Sequence, residues 1–327
     1  MKLIPCLVLL ASLALAQNPP MKTPQSGVSS ASQQTVDAKQ QMLWDKLAAD
    51  IHEIDRNLEG VLGVAILDLT NGHKFLLHET EIFPQASSIK VAVLAELYHQ
   101  AQQSSEGLSG KAKLSDLYTV AASDIVADSY IMEGLTPGVT RITNRDLATM
   151  MVAVSDNSAA NVLIDRLGMD NVNALMDSLG LTHTRLRRKM MDVKAAAEGR
   201  ENISTPAEMM TLLAAIYQGK VLNKPMSDDF FKLLSIHKES SIPRELPDSV
   251  RIANKPGELE GVRNDSGIVF ADNRPYVLCV MTTYLRNERQ GEEAIARISG
   301  AAYRMFDRLG RASEYGRVVS PSNSGKP

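Results

Sequence analysis

The chain has 327 residues, 44% hydrophobic and 22% charged, with a formal net charge of −3. That composition is ordinary for a globular protein, and the length is enough to bury a substantial core in one or two domains. A charge so near neutral offers no footprint for nucleic acid or another polyanion.

Lys2 precedes an apolar run from Leu3 to Ala16, which ends in the small-x-small pattern Ala14-Leu15-Ala16 before Gln17. This is the make-up of a secretory signal peptide over residues 1–16, so a periplasmic or secreted protein is expected. The run is too short to span a bilayer, and no stable membrane anchor is expected. Cys6 lies within it, close to the start for a lipid-attachment site. Removing the segment leaves Cys279 as the single thiol, within the β-rich apolar run Tyr276–Met281. A buried structural thiol follows, and no intrachain disulfide can form.

Residues 17–34 are rich in Gln, Ser, Thr and Pro and read as a flexible leader. From about Val36 to Leu58, Met42, Leu43, Leu47, Ala48, Ile51 and Ile54 recur at helical spacing. Val61–Leu69 and Lys74–His78, joined through Asn71-Gly72, read as a β-hairpin. A helix is expected from Ser87 to about Gln103. The pattern from Leu114 to Leu179 is mostly helical, and Leu147, Met150, Met151 and Val154 lead into Ser155. Residues 182–203 look irregular. Thr205 and Pro206 then provide an N-cap and a first helical residue. Three strands, Val250–Asn254, Asp265–Ala271 and Pro275–Thr283, precede a closing helix, Glu292–Leu309, and a Ser/Gly/Pro-rich tail read as disordered over 312–327. Helix, two strands, a long helical insertion, three strands and a helix make an α+β layout.

The chemistry is concentrated in three short motifs. Ser87-Ser88-Ile89-Lys90 is an S-x-x-K tetrad, followed by Ser155-Asp156-Asn157 and Lys255-Pro256-Gly257. Serine needs a base within hydrogen-bond reach to act as a nucleophile, and residues three apart on a helix share a face. Lys90 is therefore expected beside Ser87. The apolar neighbours Ile89, Val91, Val93 and Leu94 make its helix mostly buried, and a buried amine can hold itself neutral and serve as base or proton relay. The bland alternatives are an N-cap serine at 87, a solvated lysine at 90 and a polar turn at 155–157. The ordered set of three motifs outweighs them.

On these motifs the chain resembles the class A β-lactamase family of serine hydrolases, from about residue 40 to about residue 310. Phe83-Pro84-Gln85-Ala86, Val154–Asn161 and Ser204-Thr205-Pro206 belong to the resemblance. It implies an antiparallel sheet flanked by terminal helices, with sheet-domain segments 36–86 and 207–311 and an inserted helical domain over 87–206, and an active site in the cleft between them. It implies Ser87 as nucleophile, an oxyanion hole at the backbone N–H groups of Ser87 and Glu258, and Ser155 as proton carrier to the leaving nitrogen. Asn157 would bond Lys90 and the substrate amide, Asp156 would be structural, and Lys255 and Gly257 would contact substrate, Lys255 through the substrate carboxylate. The substrate would be a β-lactam or a D-Ala-D-Ala peptide, with no cofactor. His73, His78, His99, His183 and His237 lack metal-ligand spacing, so no metal is expected.

Two departures stand out. Pro256 replaces the hydroxyl residue that the family has in its third motif, so Arg263 or Ser266 is expected to help hold the carboxylate. In the Ω-loop, Glu198 and Asn202 have the internal spacing of the family's deacylating pair, but the register from Ser155 or Thr205 falls on Met190, Met191 and Asp192, with Arg188 as the loop anchor. A β-lactamase using Glu198 or Asp192 is one reading, and a D-alanyl-D-alanine peptidase of the same fold is another. A catalytically dead binding or sensor domain is a third.

Overall fold

The computed structural model describes residues 30–313 and 315–318, with side-chain burial described from residue 38. The expected signal peptide, Cys6, the leader up to residue 29 and the tail from residue 319 lie outside the described residues. Nine helices occur among the described residues. Those of the first half are α1 (Ser30–Asn57), α2 (Lys90–Ser105), α3 (Asn144–Ala153), α4 (Asn157–Leu167) and α5 (Met169–Ser178). Then come α6 (Val193–Ala197), α7 (Pro206–Tyr217), α8 (Lys224–Leu234) and α9 (Glu288–Arg311). The strands are β1 (Val61–Asp68), β2 (Lys74–Leu77), β3 (Phe83–Pro84), β4 (Leu117–Thr119), β5 (Arg141–Thr143), β6 (Ile203–Ser204), β7 (Arg251–Leu259), β8 (Val262–Phe270) and β9 (Tyr276–Thr283).

Five strands form one antiparallel sheet in the order β2-β1-β9-β8-β7. Its side chains alternate between two cores, as the two-residue period of a strand dictates. On one face Leu62, Val64, Ile66, Leu278 and Val280 meet Trp44, Leu47 and Ile51 of α1 and Ile295, Ile298 and Phe306 of α9. On the other, Ala65, Val277, Cys279 and Met281 belong to a core that continues through α7, which packs on β1 and β9, into α2 and α4. Cys279 is fully buried, and burial pushes its thiol up to about 12. The arrangement is α+β.

Several boundaries differ from the sequence reading. α1 starts at Ser30, so residues 30–34 are helix rather than leader; Ser30–Thr35 contains no Gly or Pro to stop it. Ala312 bridges Val318 and Ser313 N–H donates to Arg317 O at 2.8 Å, so the tail begins as a closed turn rather than a disordered segment. The stretch after Leu114 includes a β-pairing, Leu117–Thr119 with Arg141–Thr143. β7 continues through Pro256 to Leu259. The strand expected over Val250–Asn254 thus runs five residues further, and it tolerates Pro256 because β7 is the sheet's edge. β3 and β6 pair Phe83 with Ser204 and Pro84 with Ile203, tying the approach to Ser87 to the end of the 185–203 loop.

Candidate active site

A cleft of about 870 Å³ runs between the β7 edge, the turn Ala86–Ile89, the start of α4 and the loop 188–202. Ser87 sits on that turn, a 3₁₀ turn leading directly into α2, whose first residue is Lys90 rather than Ser87. Ser88 is pinned inward, its hydroxyl donating to Gln85 O at 2.6 Å and its Oγ lying 2.8 Å from Gln85 Oε1. Ser87 is left half-buried and lining the cleft. Gly257 of β7 presses on the same turn: a Cβ there would lie 2.4 Å from Gln85 O and 2.8 Å from Ser88 N. Gly257 is buried and does not line the cleft, so it acts by allowing close approach rather than by touching substrate. Glu258, next in the strand, is exposed and lines the cleft.

Lys90 is 1% exposed and donates to Ser155 O at 2.6 Å, Ser155 Oγ at 3.1 Å and Asn157 Oδ1 at 2.8 Å. All three donors of an ammonium are thus spoken for, and Ser87 is not among the partners. Burial holds the Lys90 amine well below its ordinary range; the charge of Lys255 adds to this, while Asp156 and Asp128 oppose it. Once neutral, the amine has only two N–H donors, and its lone pair becomes available to a serine proton.

Lys255, also 1% exposed, donates to the same Ser155 Oγ at 3.1 Å and to Pro256 O at 3.0 Å. Burial, then the charge of Lys238, lowers its amine to about 7. Two lysine nitrogens therefore occupy both lone-pair directions of one hydroxyl, and the hydroxyl proton must point away from both. Asn157 also donates to Ala127 O at 3.2 Å. Asp156 faces away: its carboxylate caps α4 through Ala159 N–H and accepts from Ile131 N–H and Met132 N–H at 3.0 and 2.9 Å. It ties α4 to the loop that carries Asp128 and Tyr130 along the cleft.

The loop beyond Arg185 brings Arg188, Met190, Met191 and Asn202 to the cleft and turns Glu198 and Asp192 away from it. Glu198 is exposed, pairs with Arg200 and does not line the cleft. Asp192 is spent as the N-cap of α6, accepting from Ala195 N–H at 2.9 Å, and it too is outside the lining. The cause is α6 itself: Ala195 packs inward, which turns both ends of this short helix to solvent. The Asn202 amide is occupied by the loop, accepting from Arg187 N–H at 2.7 Å and Arg188 N–H at 3.1 Å and donating to Arg188 O. Arg188 pairs with Glu201 at 2.9 Å. Asn161 clasps Met190 on both sides, accepting from its N–H at 2.8 Å and donating to its carbonyl at 3.0 Å. The cleft wall there is Arg188, Met190, Met191, Val193, Ala196, Glu201 and Asn202, and the one carboxylate among them, Glu201, is the partner of Arg188.

The two helpers expected beside Pro256 are also elsewhere. Arg263 pairs with Glu292 and donates to Leu259 O and Val262 O, and Ser266 is fully buried as the cross-strand partner of Lys255 in the register of β7 and β8. Neither lines the cleft. Instead His237, Lys238 and Glu239, which follow α8, form that end of it. No motif marks them.

Seven non-glycine residues among those described have positive φ, and four of them, Ala86, Asp128, Ser155 and Met191, line this one cleft. Each such residue costs about 1–3 kcal/mol, so strain is collected where side chains must be aimed. Among the described residues, no group of three or more His, Cys, Asp or Glu converges as a metal site, and no helix is long and apolar enough to cross a membrane.

The profile of the Beta-lactamase enzyme family matches residues 46–306. The β-lactamase SME-1 of Serratia marcescens is 25% identical over 272 residues, covering 80% of this chain and 90% of that protein. CTX-M-97 of Escherichia coli is 28% identical over 257 residues, covering 77% and 85%. Among solved structures, a β-lactamase from Sphaerobacter thermophilus superposes with a TM-score of 0.70 at 29% identity, covering 79% of this chain and 96% of that one. PBP-A superposes with 0.72 at 24% identity, covering 81% and 97%.

Proposed function

The chain belongs to the Beta-lactamase enzyme family, and from that premise we propose that it is a serine hydrolase that opens β-lactam rings through an ester at Ser87. The observation that carries this reading is the pair of buried lysines on one hydroxyl, Ser155 Oγ, beside a serine held at the mouth of a 3₁₀ turn.

In the proposed reaction Ser87 Oγ attacks the lactam carbonyl and its proton passes to neutral Lys90. The oxyanion forms against the N–H groups of Ser87 and Glu258, where the turn that starts α2 presents its positive end. The ring C–N bond breaks as Ser155 gives its proton to the leaving nitrogen, and Lys90 reprotonates Ser155 across their 3.1 Å contact. Lys255 attracts the substrate carboxylate. Water then hydrolyses the ester. At that step the loop wall opposite offers Met190, which cannot take a proton, and Glu201, whose carboxylate is held by Arg188 at 2.9 Å, so we expect deacylation to limit turnover. We also propose that residues 1–16 direct export to the periplasm or the medium.

The same methionine favours a second reading, a D-alanyl-D-alanine peptidase that captures penicillin and releases it slowly. The test common to both is mass spectrometry after incubation with benzylpenicillin. One penicilloyl group should appear on the parent and none on Ser87→Ala. An adduct that persists in the variant removes Ser87 as nucleophile, and a parent adduct that lasts for hours selects the peptidase.

A further inference from the structure

Lys238 lines the same cleft as Lys255 and Pro256 and belongs to none of the three motifs. It is 9% exposed, and its one hydrogen bond among the described residues goes to Leu234 O, at 2.8 Å. Leu234 is the last residue of α8, so the simplest role for Lys238 is to cap that helix against its dipole. A capping lysine normally keeps its ammonium in water, because an ammonium with two unused donors is costly to bury. This one is buried, and it faces the cleft.

The nearby acid does not discharge it. Asp265 accepts Ser241 N–H at 3.1 Å, Ile242 N–H at 3.0 Å and Asn254 Nδ2–H at 2.8 Å, which engages both of its oxygens with neutral donors. Burial, partly offset by Asp265, lowers the Lys238 amine to about 8. Lys238 in turn depresses Lys255. The cleft therefore holds two buried amines, and Pro256 lines it where the third motif of the family has a hydroxyl.

We propose that Lys238 and Lys255 form a two-cation clamp for the substrate carboxylate, with Lys238 supplying the contact that position 256 no longer makes. The clamp deepens the reading of the site given above and rests on it. An anion seated between two partly neutral amines favours their charged forms, so binding draws protons from solvent between about pH 7 and pH 10. The charged groups facing the pair are Asp265 and Glu258 from β8 and β7, Lys90 from α2, and His237 and Glu239 on either side of Lys238.

The first arm of the test compares adduct formation with benzylpenicillin and with its methyl ester, in which the carboxylate is blocked. Lys238→Met keeps the apolar stem and removes the charge, and Lys238→Arg keeps the charge. Losing one charge-assisted contact should lower the second-order rate constant for benzylpenicillin by about 10–100-fold in Lys238→Met, mostly through KM. Lys238→Arg should recover most of that, and the ester should react within about two-fold of the parent in both variants. An equal loss on acid and ester, or no loss on the acid, overturns the clamp. The second arm needs no reaction. Calorimetric titration with N-acetyl-D-alanine, in buffers of different ionisation enthalpy at about pH 8, should give binding with proton uptake in the parent and weaker binding with less uptake in Lys238→Met. Equal affinity in the two proteins, or no binding to the parent, overturns the clamp whether or not Ser87 is acylated. Absence of a parent adduct alongside the expected titration would sink the acyl-serine reading alone.

Discussion

Lys255→Met should make the free protein more stable near neutral pH while removing a group that the site needs. The Lys255 amine is lowered from 10.5 to about 7, chiefly by burial. At about 1.4 kcal/mol per pKa unit, keeping this lysine charged in the native state costs about 5 kcal/mol. The substitution also removes the hydrogen bonds to Ser155 Oγ and Pro256 O, worth about 1 kcal/mol each, which leaves a net gain of about 2–4 kcal/mol. The sign of the pH dependence follows from proton counts. Below about pH 7 the lysine is charged in both states and the full cost is present. Between about pH 7 and 10.5 the unfolded chain holds a proton that the native state lacks, so the parent gains stability as pH rises and the variant's advantage shrinks. Urea unfolding read by Trp44, the single tryptophan and 4% exposed, provides the assay at about pH 6.5, 8 and 9.5. A variant less stable than the parent at the lowest pH, or a gap that stays constant across the series, would refute the claim that a buried cation is stored here at the expense of stability.

Three further outcomes follow from the loop. Glu198→Gln and Asp192→Asn should leave the lifetime of the Ser87 adduct within about two-fold of the parent, because one side chain faces solvent and the other caps α6; an adduct lengthened ten-fold or more by either change would return that residue to the reaction. Met190→Glu should shorten the lifetime by about 10²-fold or more, since it places a base on the cleft wall in the backbone clasp of Asn161, and stopped-flow single turnover measures it. Asn202→Ala should cost about 2–4 kcal/mol in thermal or urea unfolding, since it leaves Arg187 N–H, Arg188 N–H and Arg188 O without their partner; a loss below about 0.5 kcal/mol would show that the loop closes by other means.

The legible part of this protein was the part written locally. Ser87 and Lys90 are three residues apart, Ser155 and Asn157 two apart, and each pair is aimed by its own turn. The α+β layout was legible for the same reason: the period of Leu62, Val64 and Ile66 and the Thr205-Pro206 helix start are local signals. What was not legible depends on which way a chain turns in three dimensions. Glu198 and Asn202 have a persuasive spacing, yet the inward packing of Ala195 sends the first to solvent while the 187–188 backbone claims the second. The strand read over Val250–Asn254 runs on to Leu259, and the position of β7 at the sheet's edge is what lets it pass through Pro256. Lys238 reads as one more lysine after a helix, and only the folded chain shows it buried and lining the cleft.

The division of labour in the cleft explains why a single loop decides what kind of hydrolase this is. Every group proposed for acylation stands on an element anchored in a core: Ser87 and Lys90 on the turn into α2, Ser155 and Asn157 at the start of α4, Lys255 on β7. Their positions are over-determined, with Asp156 taking three backbone N–H groups and Gly257 fitting against Gln85 O where no side chain could. Deacylation requires one more thing, a water with a proton acceptor on the opposite wall, and that wall is the loop from Arg188 to Asn202. The loop is firmly held, by Arg188 with Glu201, Asn202 with the 187–188 backbone and Asn161 with Met190, so it is not a missing scaffold. It is a built scaffold that presents the Met190 thioether to the cleft and keeps the Glu201 carboxylate paired with Arg188. On the proposed mechanism, acylation groups anchored in the cores beside a loop wall that presents Met190 give capture of a β-lactam that outpaces its release.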